Sequence, residues 1–416
     1  QVWTSLSGGS WSTGSRWLSG IAPIAGTVVI DPQFGVTVSG PTGAVTLKKL
    51  TLGADFGVTT LSLAGASLMQ IEDAFSIGAS AALSGGGVLA VDDAITCAGL
   101  IAPDSLTVIA TLGLSNTGLI DVAPVTPNAA AKIDLYGSIV NASAGDILLR
   151  SGAVEFGAWN GLANSGHLDI VDADATIFGD VTNTGAPAAG AISIIAESFA
   201  LFTDDVNNQS TITLDADSSV AVLGELSGNG VSGPGGAGTA GPVFVGGGVS
   251  PGASPGIARF DGDLTLGGGA ISTIEISGTV PGTGHDQVVV AGVLGAAGTL
   301  RVTTPGGFVP LSGHAYKVLD FGSVIGSFSQ VQLSSSLVSA SADISTLLID
   351  GTIRIPAPTC SGDINGDGDT NAADFTILAG NFGGSVPPNT GGDLNGDGLV
   401  NAADFVILAG DFGCGS

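Results

Sequence analysis

Short runs of alternating apolar and polar residues fill most of the chain. Thr60-Leu-Ser-Leu63, Lys132-Ile-Asp-Leu135 and Ala191-Ile-Ser-Ile194 are typical examples. Gly, Asn and Asp separate these runs every few residues, as expected for strands joined by turns. Alternation with period two puts one set of side chains on a buried face and the other toward solvent. The pattern therefore predicts many short β-strands, and no segment of helical period occurs between residues 45 and 225.

Two of these segments resemble each other. His167-Leu-Asp-Ile-Val-Asp-Ala-Asp174 and Ser210-Thr-Ile-Thr-Leu-Asp-Ala-Asp217 begin 43 residues apart. That separation fits two coils of a solenoid with about twenty residues in each coil. A single coil cannot bury its own apolar face, so coils must stack on one another. We therefore predict an all-β chain built as a parallel β-helix. An array of β-sandwiches is the alternative, but its short hairpin turns are missing from the sequence.

The distribution of Trp, Gly and Pro suggests how the chain is divided. We predict an N-terminal cap over residues 1–45, a β-helix solenoid over 46–248, a C-terminal β-helix and cap region over 249–356, and a separate module over 357–416. The first region holds Trp3, Trp11 and Trp17. A Trp cluster at one end of a repetitive β-structure is expected to cover the exposed core. Carbohydrate stacking and contact with another subunit are the alternatives.

Residues 363–374 and 393–404 share one spacing of oxygen-bearing side chains. In loop positions 1, 3, 5, 9 and 12 stand Asp363, Asn365, Asp367, Asn371 and Asp374, and then Asp393, Asn395, Asp397, Asn401 and Asp404. Position 6 is Gly in both copies. A hard cation such as calcium takes about six to eight oxygen ligands, and the glycine allows a sharp turn. The duplicated spacing predicts two calcium sites, each followed by a short helix. A turn-rich acidic tail is the alternative.

Two such loops, each ending in Asp and leading into a helix, resemble a dockerin module over about residues 360–416. The resemblance implies an extracellular, non-catalytic module that binds calcium and docks onto a partner, often a cohesin domain. It implies the ten side chains above as ligands, with the position 7 residues Asp369 and Leu399 giving backbone carbonyls. Positions 10 and 11, which often read the partner, are Ala372-Ala373 and Ala402-Ala403 here. This favours a flatter, more apolar contact.

Residues 249–355 resemble another family. The order of Phe260-Asp-Gly-Asp-Leu-Thr-Leu266, Ile274-Glu-Ile-Ser277 and His285-Asp286 is similar to the C-terminal β-helix of autotransporter passengers and related bacterial surface proteins. The resemblance implies a right-handed parallel β-helix that ends in a cap of longer antiparallel strands. The calcium module that follows distinguishes the chain from a self-translocating autotransporter. The combination is similar to secreted proteins of planctomycete-type bacteria.

Charge limits the classes of partner. The chain has 9 Lys and Arg against 36 Asp and Glu, which gives a formal net charge of −27. Nucleic acid is therefore excluded as a partner, because phosphate binding needs clustered basic residues. Anionic membrane surfaces are disfavoured for the same reason. No run of about 18 apolar residues exists, so we expect no membrane insertion.

The cysteines indicate an oxidising compartment. Cys360 and Cys414 bracket the calcium module, and a disulfide between them would stabilise it by about 4 kcal/mol. Disulfides persist in extracellular spaces. We expect Cys97, in an apolar strand, to be a buried free thiol. The start at Gln1 is interpreted as an N-terminus left by signal-peptide removal.

An active site on the β-helix has to be considered. The acidic candidates are Asp92-Asp93, Asp172 and Asp174, Asp204-Asp205, and Asp215 and Asp217, with His167 nearby in sequence. An enzyme acting on acidic polysaccharide needs a base and cationic side chains that hold the substrate. Between residues 50 and 258 the basic residues are Lys132 and Arg150. The three His residues lack zinc-ligand spacing. We therefore expect no enzymatic activity.

Three hypotheses on function follow. The first is a secreted or cell-surface structural protein, a β-helix rod that assembles head-to-tail into a fibre or surface layer through its calcium module. Its partner would then be a copy of itself, or else a cohesin-like domain. A non-closing contact of this kind generates filaments. The others are an adhesin that binds carbohydrate, and a polysaccharide lyase or hydrolase carried by a dockerin.

Overall fold

The computed structural model describes residues 1–126, 129–185, 191–252, 255–357 and 359–415. Parts of the predicted regions 46–248, 249–356 and 357–416 lie outside these ranges. The chain forms two compact units. Unit 1 comprises residues 1–308, 316–334 and 346–352, and unit 2 comprises 309–315, 335–345 and 353–416. Each unit is described by itself below.

Strands make up most of the described residues. In chain order they are β1 (Gly9–Ser10), β2 (Thr27–Ile30), β3 (Thr37–Ser39), β4 (Ala44–Leu47), β5 (Lys49–Leu52), β6 (Thr59–Leu63), β7 (Leu68–Ile71), β8 (Phe75–Ile77), β9 (Ala81–Val91), β10 (Ile95–Cys97), β11 (Leu100–Ala110), β12 (Leu114–Asn116), β13 (Leu119–Val122), β14 (Ala131–Tyr136), β15 (Ile139–Asn141), β16 (Asp146–Ala158), β17 (Leu162–Asn164), β18 (His167–Phe178), β19 (Val181–Asn183), β20 (Ala191–Ile195), β21 (Phe199–Phe202), β22 (Val206–Asn208), β23 (Thr211–Leu214), β24 (Ser219–Val222), β25 (Glu225–Gly228), β26 (Gly230–Val231), β27 (Val243–Val245), β28 (Gly248–Pro251), β29 (Ile257–Phe260), β30 (Leu264–Leu266), β31 (Ile271–Glu275), β32 (Gln287–Ala296), β33 (Thr299–Thr303), β34 (Ala315–Lys317), β35 (Leu319–Gly326), β36 (Gln330–Leu333) and β37 (Thr352–Arg354). The α-helices are α1 (Ser335–Ser339), α2 (Ala372–Asn381) and α3 (Ala402–Asp411), and Gly14–Arg16 and Pro305–Gly307 are short 3-10 helices. None of the helices in the described ranges is both long and apolar enough to cross a membrane.

Unit 1 is a parallel β-solenoid of about 10 turns. Among the described residues, 21 strands form one parallel sheet and 11 form a second. The predicted all-β class and parallel β-helix are confirmed. Successive coils place Asn116, Asn141 and Asn164 at equivalent positions, 25 and 23 residues apart, close to the predicted coil length. The two similar segments, which begin at His167 and Ser210, lie two coils apart, because β18 pairs with β20 and β20 pairs with β23.

The alternation of residues explains the strands of the 11-stranded sheet. In β10, Ile95 and Cys97 point inward and are buried, whereas Thr96 between them is exposed. Thr96 stands in register with Ser76 on one side and Ser115 on the other. Apolar side chains thus form the interior and small polar ones face solvent. Burial of apolar surface at about 25 cal/mol per Å² stabilises the stack of coils.

Some strands are longer than the short strands that the alternation predicts. β16 has 13 residues and β18 has 12. Both bend in the middle, where Ser151 (φ 66°) and Asp172 (φ 50°) adopt the left-handed conformation. The pairs Arg150–Val171 and Gly152–Ala173 flank these bends and keep the two strands in register. In β16 the next residue, Gly152, also has a positive φ of 110°. The chain therefore turns at one such residue in β18 and at two in β16, while the ladder continues.

A stack of buried asparagines runs through the solenoid. Asn116, Asn141, Asn164, Asn183 and Asn208 are each 0% exposed. Each side chain donates from Nδ2 to Oδ1 of the next at 2.8 to 2.9 Å, and Asn208 donates to the carbonyl of Gly230. Buried polar groups require partners of this kind. This stack was not predicted from the sequence, although Asn ends the strand in each of these five coils.

The three N-terminal Trp side chains are buried together. Trp3, Trp11 and Trp17 are each 2% exposed. The ring of Trp17 lies edge-on to both others, with centroids 5.0 Å apart. The indole N–H of Trp17 donates to the carbonyl of Trp11, and that of Trp11 to the carbonyl of Pro23. Carbohydrate stacking needs an exposed ring face, and none of these three rings offers one.

The region that resembles autotransporter passengers departs from the expectation in one respect. β31, β33 and β36 form a three-stranded sheet whose strands are parallel. The antiparallel pairing that we expected for the cap is therefore wrong for this sheet. Each strand here follows from one further coil of the solenoid rather than from a hairpin. The rest of the resemblance stays a prediction.

His285 and Asp286 stand at the entry of β32 and are both buried. The Asp286 carboxylate accepts the N–H groups of Gly256 at 2.7 Å and Glu275 at 2.8 Å. Burial raises the pKa of Asp286 to about 6, although these two hydrogen bonds act in the opposite direction. Both polar side chains hold the strand entry in place.

Candidate metal centre

In each predicted calcium loop, residues 363–374 (loop 1) and 393–404 (loop 2), the first Asp is surrounded by backbone N–H groups. Asp363 accepts hydrogen bonds from Gly366 at 2.7 Å and from Gly368 at 2.8 Å. In loop 2, Asp393 accepts them from Gly396 at 2.9 Å and Gly398 at 2.8 Å. These bonds fold each loop around its first carboxylate, at the glycine turn that the sequence predicts.

The side chains at positions 3 and 5 follow the same turn. Asn365 accepts the N–H of Asp367 at 2.9 Å and donates to its carboxylate at 2.8 Å. The N–H of Asp369 donates to Asp367 at 3.0 Å. The equivalent bonds in loop 2 join Asn395, Asp397 and Leu399. Both loops therefore have one conformation, although position 7 is Asp in one and Leu in the other.

The last predicted ligand of each loop is fully buried at a helix start. Asp374 accepts the N–H groups of Ile364 at 2.8 Å and Asn371 at 2.9 Å. In loop 2, Asp404 does the same with Leu394 and Asn401, both at 2.8 Å. Asn371 and Asn401 in turn accept an N–H from the first turn of α2 and α3, which completes a capping box at each helix.

Two opposing effects set the pKa of these buried carboxyls. Burial alone raises the pKa of Asp374 and of Asp404, but the backbone N–H donors around each carboxylate outweigh burial and lower it. The positive end of the helix dipole also favours a negative charge there. Both groups are therefore ionised at neutral pH, as metal ligands must be.

The side chains of loop 1 converge on one point. Carboxylate oxygens of Asp363, Asp367 and Asp374 all lie within 4.8 Å of one another. The predicted ligands of both loops are Asp and Asn side chains and a backbone carbonyl, which coordinate a metal through oxygen. This chemistry suits calcium rather than zinc or copper. The residues present therefore fit calcium, with Asn365, Asn371 and the carbonyl of Asp369 as further oxygen donors in loop 1.

The helices pack on a small apolar core. Leu378 of α2 and Leu408 of α3 are buried together with Val400, and Ile364, Val386 and Leu394 pack around them. Ile364 and Leu394 occupy position 2 of the loops, so the core fixes each loop next to its first ligand.

A disulfide joins the two sides of the module. Cys360 and Cys414 are bonded, with their Cα atoms 5.6 Å apart, so the expected pairing is present. The carboxylate of Asp411 lies near both sulfurs. Because the sulfurs are bonded to each other, we interpret this cluster as a cross-link and not as a metal site. The third cysteine, Cys97, is buried, and burial raises the pKa of its thiol to about 11.

Part of the helical surface stays uncovered. Phe375 and Phe405 are 44% and 42% exposed, with ring centroids 6.1 Å apart. The side chains at loop positions 10 and 11, Ala372-Ala373 and Ala402-Ala403, are exposed too. We call these two Phe and four Ala residues the apolar helix face.

The C-terminal module matches a known family. Residues 361–411 match the family model described as dockerin type I domain. This segment is a dockerin type I domain. Comparisons with curated proteins and with solved structures gave no match to the chain. Dockerin domains typically bind calcium, bind cohesin partners and occur in extracellular or cell-surface proteins. The match covers the dockerin domain and leaves the solenoid unassigned.

Some residues of the dockerin domain were not singled out by sequence. Thr370 and Val400, at position 8, pair their backbones with residues that follow the helices. The signal was present, because Asn381-Phe-Gly-Gly384 and Asp411-Phe-Gly-Cys414 repeat 30 residues apart, like the loops. The repeat alone does not show which loop each of these two segments pairs with.

The structure shows where several of the acidic candidates on the solenoid lie. Asp172 and Asp174 line a cavity of about 540 Å³ together with Glu197. Asp204 and Asp215 each accept a backbone N–H, from Gly179 and Ala196. The two basic side chains between residues 50 and 258 are already paired: Arg150 with Asp121 at 2.8 Å and Lys132 with Glu155 at 3.0 Å.

Proposed function

We propose that the chain is a non-enzymatic extracellular structural protein, in which a calcium-loaded dockerin domain joins a β-solenoid to a partner. The observation that carries this proposal is the apolar helix face. Its Phe and Ala side chains remain exposed while Leu378 and Leu408 fill the core. Exposed apolar patches of this kind mark sites of protein contact.

The chemistry of the solenoid supports the absence of catalysis. Asp204 and Asp215 hold backbone N–H groups, and Lys132 and Arg150 are engaged in ion pairs. A site for acidic polysaccharide would need free cationic side chains beside its acid or base. Products released from a panel of acidic polysaccharides by the purified protein would contradict this part of the proposal.

For the partner, we propose another copy of the chain. The N-terminal region carries several exposed aliphatic side chains, among them Leu6, Leu18, Ile21 and Ile24. No Asp or Glu occurs before Asp31, in a chain of net charge −27. Contact between this region and the apolar helix face of the next copy would avoid acidic repulsion. Because such a contact does not close on itself, it would produce fibres.

A cohesin-like domain is the second candidate partner. The family match favours it, since dockerin domains bind cohesin partners. The alanines at positions 10 and 11 then indicate a partner surface with apolar rather than charged contacts. In this case, the solenoid is the cargo that the dockerin domain attaches.

Sedimentation and electron microscopy of the full-length protein with calcium test these proposals. The head-to-tail proposal predicts fibres that are lost in a Phe375→Glu, Phe405→Glu variant. The same change at Phe244, an exposed residue of the solenoid, serves as control and should leave the fibres intact. If the protein is a monomer and binds a cohesin domain through the two Phe residues, the cohesin-like partner is supported instead of the head-to-tail contact. A monomer that binds neither would contradict the docking role.

A further inference from the structure

Each calcium loop is closed by the segment that follows the helix of the other repeat. In loop 1, the N–H of Thr370 donates to the carbonyl of Cys414 at 2.9 Å, and the N–H of Gly413 donates to that of Thr370 at 2.8 Å. In loop 2, Val400 makes the same two bonds with Gly384 at 3.0 Å and Gly383 at 2.7 Å. The closure is thus reciprocal and nearly symmetric.

The position of this pairing matters for the metal. Thr370 stands between Asp369 and Asn371, at positions 7 and 9 of loop 1. Both neighbours are predicted oxygen donors, one through its carbonyl and the other through its side chain. If Thr370 loses its pairing, two of the donors lose their support together.

The two closing segments are tethered differently. Gly383 and Gly384 lie in the connection between α2 and loop 2, only 16 residues before Val400, and are anchored at both ends. Gly413 and Cys414 follow α3, at the far end of the module from loop 1 in sequence. The disulfide to Cys360, which spans a sequence separation of 54, ties them to the start of loop 1.

Residues 411–415 also touch loop 1 directly. The carboxylate of Asp411 accepts the N–H of Gly362 at 2.6 Å and the hydroxyl of Thr370 at 3.0 Å. Gly415 packs so closely on Gly368 and Asp369 that a Cβ atom there would overlap both. The equivalent of Asp411 in the other repeat is Asn381, which donates to the carbonyl of Gly391 at 2.8 Å.

We propose that residues 411–415 position loop 1, and that the disulfide holds them there, so that the calcium affinity of loop 1 depends on the redox state while that of loop 2 does not. In the redox step, a dithiol reductant supplies two electrons and two protons. The Cys360–Cys414 bond breaks, two thiols form and the reductant becomes a disulfide. The inference rests on the proposed calcium binding.

Calorimetric titration of the full-length protein with calcium chloride tests it, before and after reduction by dithiothreitol. Asp393→Ala silences loop 2, so that loop 1 is measured alone, and Asp363→Ala does the reverse. Reduction should weaken calcium binding by about tenfold or more in the first variant, in the range of ordinary coupling between sites. In the second variant the change should stay below about twofold.

Matched substitutions separate positioning from general stability. Cys360→Ser with Cys414→Ser should weaken loop 1 as reduction does, and should not respond to dithiothreitol. With the disulfide intact, Asp411→Ala should weaken loop 1 and spare loop 2, whereas Asn381→Ala should do the opposite. Circular dichroism of the helices checks that the domain remains folded.

The outcomes are distinct. Equal losses at both loops, or none at either, would overturn the inference while calcium binding itself stands. Loss of the helices on reduction would overturn it as well, because the disulfide would then support the whole domain. If the oxidised wild-type protein binds no calcium, both the calcium assignment and this inference fail.

Discussion

Asn141 donates a hydrogen bond of 2.8 Å from its side chain to Asn164 in the next coil, and neither residue is exposed. The Nδ2 atom of Asn141 also donates to the carbonyl of His167 at 2.9 Å. Asn164 donates in the same way to the side chain of Asn183 at 2.9 Å. Each amide thus has partners in its own coil or the next, and the row of amides links the coils along the solenoid. An unpaired amide at this depth would cost free energy, so the row fixes the register of stacking.

Removing one member should therefore destabilise the solenoid. In Asn164→Ala, Asn141 loses an acceptor and Asn183 loses a donor, and we expect a loss of about 1–3 kcal/mol in the free energy of unfolding. Ala163→Ser, on the exposed side of the same strand, is the control and should change it by less than about 0.5 kcal/mol. Denaturant unfolding followed by circular dichroism measures both. Equal stability of the two variants would show that the row of amides does not stabilise the solenoid.

The buried Asp at the end of a calcium loop should be indispensable to that loop. Asp374→Asn replaces an oxygen that accepts backbone N–H groups with an amide nitrogen that repels them. We expect the domain to lose about 1–3 kcal/mol of stability and one bound calcium ion. Asp369→Asn is the control, because position 7 contributes its carbonyl. Titration calorimetry gives the number of ions, and unchanged binding in Asp374→Asn would remove this residue from the ligand set.

The same carboxyl predicts an acid sensitivity of the calcium-free domain. The pKa of Asp374 is lowered in the folded protein by its N–H donors, in spite of burial. Its contribution to stability is therefore present above the unfolded value of about 4, and is lost as pH falls through the lower folded value. Thermal melts in chelator should show a drop on acidification that Asp374→Asn reduces. Identical pH profiles for both proteins would contradict this.

The solenoid should respond to pH in the opposite sense at Asp286. Because burial raises the pKa of this carboxyl to about 6, the folded protein keeps a proton that the unfolded chain releases. Stability should fall by up to about 3 kcal/mol as pH rises from about 4 to about 6. The fall should be smaller in Asp286→Asn but unchanged in Asp217→Asn, an exposed control. Melting temperatures across this range provide the measurement, and a fall of equal size in all three proteins speaks against the assignment.

Cys97 should be inert until the solenoid unfolds. The buried thiol has a pKa of about 11 and is not ionised at neutral pH, and the thiolate is the reactive form. Iodoacetamide should therefore leave the native protein unlabelled and modify one thiol per chain in guanidinium chloride. Mass spectrometry distinguishes these states, and rapid labelling of Cys97 in the native protein would show that its strand is open.

The sequence predicted those features that local patterns encode. Alternation and the similarity of residues 167–174 and 210–217 led to a parallel solenoid, because both reflect stacked coils. The repeat of residues 363–374 and 393–404 was recognised because the spacing that defines each copy lies within 12 residues, and calcium binding by both loops stays a prediction. The disulfide followed from the positions of Cys360 and Cys414 around the module.

The features that the sequence left hidden depend on contacts between distant coils or repeats. An Asn such as Asn164 at the end of a short strand looks like a turn residue, and only stacking turns it into a buried amide. At Asp172 no glycine marks the left-handed bend, so the length of β18 was not predicted. The pairing of Thr370 with Cys414 joins a loop to the other repeat, which no local spacing predicts.

The number of calcium ions bound by the full-length oxidised protein tests the central claim most directly. Titration calorimetry with calcium chloride, after removal of metal by chelator and buffer exchange, should give two ions per chain and a higher melting temperature for residues 360–416. Each loop should lose its ion when Asp363 or Asp393 is replaced by Ala. A protein that binds no calcium, with a melting transition that chelator leaves unchanged, would contradict the account.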